Sequence, residues 1–267
     1  MKIYILTLFP KMFSGFCGES IIKKAQEKNL VKIEIVDLRQ FAYDKRGSVD
    51  DRVYGGGKGM IIRADVVYKA ILNIKNQKSK LQIKNQKQKI ILTSPKGKIF
   101  NQQKALQLSK LDKLVIICGH YEGIDERIKN FVDEELSLGD FVLTGGEIVA
   151  AAIVDAVVRL IPGVLDKEAI NKESFSQYKI NYLIKIIGEN KILKKLKERN
   201  IKKVKLLEYP QYTRPENFLG LKVPKILLSG NHKEIEKWRI KKAWEETLKK
   251  RKDLLEKQLD KRKRKKL

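Results

Sequence analysis

The sequence predicts an α/β domain built on a mainly parallel sheet, followed by a small helical domain. Three observations carry this. Short apolar runs of buried-strand length recur at 2–8, 31–38, 89–94 and 113–118. Helical segments stand between them, the alternation that produces parallel pairing. Towards the C-terminus Ile240, Trp244 and Leu248 recur every four residues on a charged background, the mark of an amphipathic helix.

The elements follow in order. KIYILTL (2–8) and VKIEIVDL (31–38) read as strands, the second with valine and isoleucine partly alternating with charge, and Ser20 to Leu30 reads as a short helix between them. Residues 74–89 contain IKNQK twice, at 74–78 and 83–87, and this polar repeat reads as a solvated insertion. KIILTS (89–94) and KLVIIC (113–118) are buried-strand runs separated by a helix near 102–111. Glycine-punctuated loops follow Cys118. A helix over 147–161 then stops before Pro162-Gly163, with Thr144 and Glu147 spaced as a capping box at its start. The predicted organisation is a domain at 1–165 interrupted at 74–89, a linker at 166–205 carrying a lysine-rich insertion, and a helical domain at 206–267.

Composition narrows the function. The 267 residues include 58 basic and 32 acidic side chains, a formal charge of +26. Such an excess points to a polyanionic partner, most often nucleic acid. The charge is concentrated: 74–89 holds six lysines and no acid, 177–205 ten basic and two acidic residues, and 247–267 eleven and three. Lysine far outnumbers arginine, so coding bias competes with selection for binding. Two cysteines, Cys17 and Cys118, give no disulfide framework and no zinc spacing, and fit a reducing cytosol. The N-terminus does not read as a signal peptide. The most apolar stretch carries Glu147, Asp155 and Arg159, so a buried helix is expected there and no membrane span.

Common cofactor signatures are absent. Gly55-Gly56-Gly57-Lys58-Gly59-Met60 lacks the Lys-Ser/Thr ending of a phosphate-binding loop, and no G-x-G-x-x-G follows a strand. His120 and His232 are isolated and read as structural. What remains is three loops: Thr93 to Gly97, Gly119 to Arg127 and Ser137 to Glu147. Ligands in α/β proteins gather outside the carboxyl ends of strands, and glycines let backbone groups approach a ligand closely.

Seven stretches, taken together, resemble the bacterial tRNA (guanine-37-N1)-methyltransferase family, TrmD, of the SPOUT superfamily. They are LTLFPKMF (6–13), DDRVYGGGKGM (50–60), LTSPKGK (92–98), ICGHYEGIDER (117–127), LSLGDFVLTGGE (136–147), RLIPGVL (159–165) and YPQYTRPENFLGLKVPKILLSGNHKEIEKWR (209–239). The resemblance implies a SPOUT-type sheet whose C-terminal part is tied in a deep trefoil knot, and a C-terminal domain that binds tRNA. It implies S-adenosylmethionine held in the three loops, beside Ser94 and Pro95, Gly119, Tyr121, Glu122 and Gly123, and Leu138, Gly139, Asp140, Phe141, Val142, Leu143 and Gly145. It also implies a cytoplasmic homodimer acting on tRNA. Nothing in the residues decides whether Mg2+ takes part.

The chemistry of the implied reaction asks for a base and a positive group. Guanine N1 carries a proton at neutral pH, so a carboxylate must remove it while a cation offsets charge building at O6. In the family an aspartate before Ser-Phe is the base and an arginine assists. Arg159 matches the arginine; Glu173, in Lys172-Glu173-Ser174-Phe175, stands where the aspartate would be. Glutamate adds a methylene of reach, which makes geometry the concern. Glu208 is the nearest rival carboxylate. The plainer readings are a solvated charge at Glu173 and an Asp155 partner at Arg159. Two further functions stay open: a SPOUT enzyme with another RNA target, and an RNA-binding relative without catalysis.

Overall fold

A computed structural model describes residues 1–76 and 87–260. The chain divides into two compact units, 1–165 and 166–267.

The first unit opens with β1 (Lys2–Thr7), α1 (Ser14–Gly18), α2 (Ser20–Glu27) and β2 (Lys32–Asp37). A short hairpin, β3 (Asp50–Arg52) with β4 (Met60–Ile62), leads into α3 (Ala64–Asn76). Then come β5 (Gln88–Ile99), α4 (Gln102–Leu108), β6 (Lys113–Ile117), β7 (Glu134–Ser137) and α5 (Glu147–Val158). Five strands form one parallel sheet in the order β2-β1-β6-β5-β7. Central parallel strands are covered on both faces, which is why their sequences are continuously apolar. Tyr4 and Leu6 join Val115, Ile117 and the α3 residues Val66, Val67, Ala70 and Ile71 in one core. Ile3 and Ile5 alternate to the other face, where α5 packs on β1. Each fully buried isoleucine or leucine stabilises the fold by about 1.5–3 kcal/mol.

Several boundaries differ from expectation. The strand expected at 89–94 runs on to Ile99: Thr93 and Lys98 both register against Leu136, so residues 94–97 bulge out and pairing resumes beyond them. The expected insertion at 74–89 is narrower. Ile74 is buried in the last turn of α3 and Gln88 opens β5; the remaining part, 77–86, lies outside the described residues. The helix expected over 147–161 ends at Val158 and closes with tighter turns, Leu160 N–H to Val157 O at 3.1 Å and Ile161 N–H to Val158 O at 3.0 Å. The capping box does not form. Gly146 is the N-cap, Thr144 is exposed, and Glu147 turns inward.

The second unit contains α6 (Lys167–Asn171), β8 (Ser176–Lys179), α7 (Ile180–Ile187), α8 (Lys191–Glu198), β9 (Lys203–Leu206), the hairpin β10 (Asn217–Phe218) and β11 (Leu221–Lys222), α9 (His232–Lys250) and α10 (Asp253–Asp260). Residues 166–205 are therefore not a linker. Ile180, Leu183, Leu193, Leu196, Val204 and Leu206 share one core with Ile240, Ala243, Trp244 and Leu255. The lysines that obscure the apolar period lie on the solvent side. The buried Thr247 hydroxyl accepts from Leu207 N–H at 2.8 Å and donates to Ala243 O at 2.7 Å, fastening the end of β9 to α9. No described helix is long and apolar enough to cross a membrane.

Candidate active site

At the bulge of β5 and the carboxyl ends of β6 and β7 the three loops meet around a cavity of about 260 Å3. Strand order explains the meeting: β5 lies between β6 and β7, so its bulge stands beside the segments leaving both neighbours. The bulge supplies Ser94, Pro95 and Lys96; the β6 loop supplies Gly119 to Ile124; the β7 loop supplies Ser137 to Gly146 apart from Asp140. Tyr121 holds φ at 57° and Gly123 at 125°, which turns the second loop back on itself, closed by Gly123 N–H to His120 O at 3.0 Å.

The second and third loops are stitched together beneath the cavity. Gly146 N–H donates to Gly119 O at 2.7 Å, and Gly119 N–H donates to the Thr93 hydroxyl at 3.2 Å. Thr93 in turn donates to Ile117 O at 3.1 Å. Only glycine fits at 146, because a Cβ there would collide with Thr93 Oγ1 and with the Gly119 amide. A Cβ at Gly145 would likewise strike Glu147 and His120.

Glu147 is 2% exposed and its Oε1 accepts from the Thr7 hydroxyl at 2.8 Å. Its Oε2 stands 3.7 Å from His120 Nδ1. The His120 ring lies 4.5 Å from Phe9 and edge-on to Tyr121 at 4.9 Å. Burial, and then the Glu147 charge, push the adjacent Cys118 thiol well above its usual range, so it is held as a neutral packing group. Further along the second loop, outside the cavity lining, the Arg127 guanidinium grips Asp125 at 2.9 and 2.7 Å and holds that carboxyl below the usual range.

A family model described as "tRNA (Guanine-1)-methyltransferase TrmD" matches residues 1–257. The chain belongs to the TrmD family. Relatives named tRNA (guanine-N(1)-)-methyltransferase include one from Dictyoglomus turgidum, 47% identical over 258 residues, covering 96% of this chain and 91% of the relative. Another, from Carboxydothermus hydrogenoformans, is 47% identical over 257 residues, with 96% and 87% covered. A third, from Mycoplasmopsis agalactiae, is 45% identical over 256 residues, with 96% and 97% covered.

In this TrmD-family chain the residues that the resemblance placed beside S-adenosylmethionine all line the cavity except Asp140. Arg159 follows α5 as its C-cap, half-buried and outside the cavity lining. Glu173 belongs to the second unit, between α6 and β8, half-buried, with its carbonyl accepting from Ser176 N–H at 3.2 Å. Thr93, His120, Gly146 and Glu147 belong to the three loops read from sequence, but no individual role at the site was assigned to them, and His120 was read as structural. Thr93 and Gly146 were legible as members of those loops, whereas the inward turn of Glu147 towards Thr7, 140 residues away, leaves no local signal.

Proposed function

We propose that this chain is a cytoplasmic homodimer that methylates N1 of guanine 37 of tRNA, with S-adenosylmethionine bound in the three-loop cavity. The observation that carries the reading is the convergence of Ser94 and Pro95, Gly119 to Gly123 and Leu138 to Gly145 on one cavity. The donor set suits an adenosyl group. Backbone amides and carbonyls of the glycine loops would hold a flat purine by its edge, and Leu138, Phe141 and Leu143 offer apolar surface to its faces. The close crossings of 93, 119 and 146 support the knotted path that the family resemblance implies.

When bound, S-adenosylmethionine supplies an electrophilic methyl group. The chain's own work is to bring guanine N1 into line and remove its proton. In this reading Glu173 accepts that proton and the Arg159 guanidinium offsets charge at O6. The site is shared between subunits, one providing the cavity and the other Glu173. Incubation with tRNA and methyl-labelled S-adenosylmethionine, followed by digestion to nucleosides, tests the reading. N1-methylguanosine is the expected product, and label in any other nucleoside overturns the assignment.

A further inference from the structure

Two lysines stand directly opposite each other on the exposed side of the second unit's ribbon. β8 pairs antiparallel with β9 so that Lys179 is the register partner of Lys203. Both are exposed, while Val204 and Leu206 of β9 are buried in the core beneath. Like charges directly opposite on a sheet repel and weaken the pairing. No carboxylate among the described residues forms an ion pair with either one. Lys202, also exposed, lies at the same end of the ribbon, its carbonyl accepting from Ile180 N–H at 3.0 Å.

Helix α8 adds a second exposed set, Lys191, Lys194 and Lys195, opposite the buried Leu193 and Leu196. Lysines in the last turn of a helix gain from its dipole, which accounts for Lys195 and for Lys197, itself 3.9 Å from Glu189. That gain does not reach Lys191, which opens the helix at the end where cations are disfavoured. The module thus keeps cations in two places where the fold alone is weakened by them. None of the seven stretches that carry the family resemblance includes it.

We propose that this module docks the phosphodiester backbone of structured RNA, with the Lys179–Lys203 end of the ribbon at its centre. This rests on the tRNA reading above and deepens it: the bound part is tRNA backbone outside the methylated nucleotide. Phosphates would neutralise the facing ammonium groups, and lysine, a point charge on a flexible stem, suits backbone contact rather than base reading. Each neutralised phosphate steepens the fall of log affinity with log salt by roughly 0.7 to 0.9.

The test compares full-length Lys179→Gln/Lys203→Gln with the parent by tRNA-binding anisotropy over a salt series. The slope should fall by roughly 1.4 to 1.8. KM for tRNA should rise while kcat and S-adenosylmethionine affinity hold, and the free variant should melt at a higher temperature in low salt. Lys23→Gln/Lys24→Gln on α2 removes the same charge elsewhere and should keep the parental slope. An unchanged slope in the ribbon variant, or an equal loss in the α2 variant, overturns the proposal and leaves the lysines to solubility or an acidic protein. A parent whose slope the ribbon variant flattens, yet which transfers no methyl, sinks the functional reading and leaves this surface standing. Active parent and variant with identical slopes do the reverse.

Discussion

The backbone N–H of Glu208 donates to the Ser174 hydroxyl at 3.2 Å. Beside it, Phe175 N–H donates to Leu206 O at 2.7 Å, continuing the β8–β9 ribbon towards both carboxylates. Glu173, proposed as the base, and Glu208, its rival in sequence, are therefore neighbours through Ser174 although 35 positions separate them in the chain. Glu173→Gln keeps size and hydrogen bonding but removes the proton acceptor. It should slow single-turnover transfer by about a hundredfold to ten-thousandfold, with S-adenosylmethionine affinity unchanged. Glu173→Asp should retain substantial activity. A parental rate for Glu173→Gln beside a slow Glu208→Gln would give the role to Glu208.

The Thr7 hydroxyl serves two groups, donating to Glu147 and accepting from Phe9 N–H at 2.9 Å. Thr7→Val leaves a buried carboxylate oxygen and an amide without that partner, a loss of about 3 kcal/mol. Chemical denaturation should show this, with Thr7→Ser recovering most of it. Equal stability of Thr7→Val and the parent would mean that Glu147 finds another donor.

Two glycines of the third loop should behave differently. Gly146→Ala drives a methyl into Thr93 and the Gly119 amide and should destabilise the protein by about 1–3 kcal/mol. At Gly139 the added carbon meets the Phe141 ring at 2.9 Å, and that side chain is 55% exposed and can move. Gly139→Val should therefore melt near the parent while losing S-adenosylmethionine binding in calorimetry. Parental affinity would remove Gly139 from the cofactor site.

Burial raises both thiols, Cys118 far more than the half-buried Cys17. A raised thiol has less thiolate, the reactive form, at a given pH. Iodoacetamide at pH 8 should label Cys17 slowly and Cys118 only after unfolding. Native labelling of Cys118 at the same rate would contradict the packing beneath the cavity.

Much of this was legible in the sequence because the physical signals were local. The β1 and β6 strands are unbroken apolar runs, and the cavity loops announce themselves by glycines following strands. The extension of β5 was hidden because Ser94-Pro95-Lys96-Gly97 reads as a turn, and it is the distant Leu136 that recaptures Lys98. The fold of 176–206 was hidden by its lysines, since a few buried leucines and isoleucines carry the whole apolar face. Thr144 and Glu147 have the spacing of a capping box, but a buried hydroxyl on β1 offers Glu147 a better partner.

In the proposed function this chain methylates the guanine beside the anticodon of tRNA at N1. Single-turnover transfer from methyl-labelled S-adenosylmethionine to two tRNA transcripts, differing only in guanine or adenine at position 37, tests it most directly. Label is expected in the guanine transcript, recovered as N1-methylguanosine, and none in the adenine transcript. Equal labelling of both, or labelling of neither by a protein that binds S-adenosylmethionine, would contradict it.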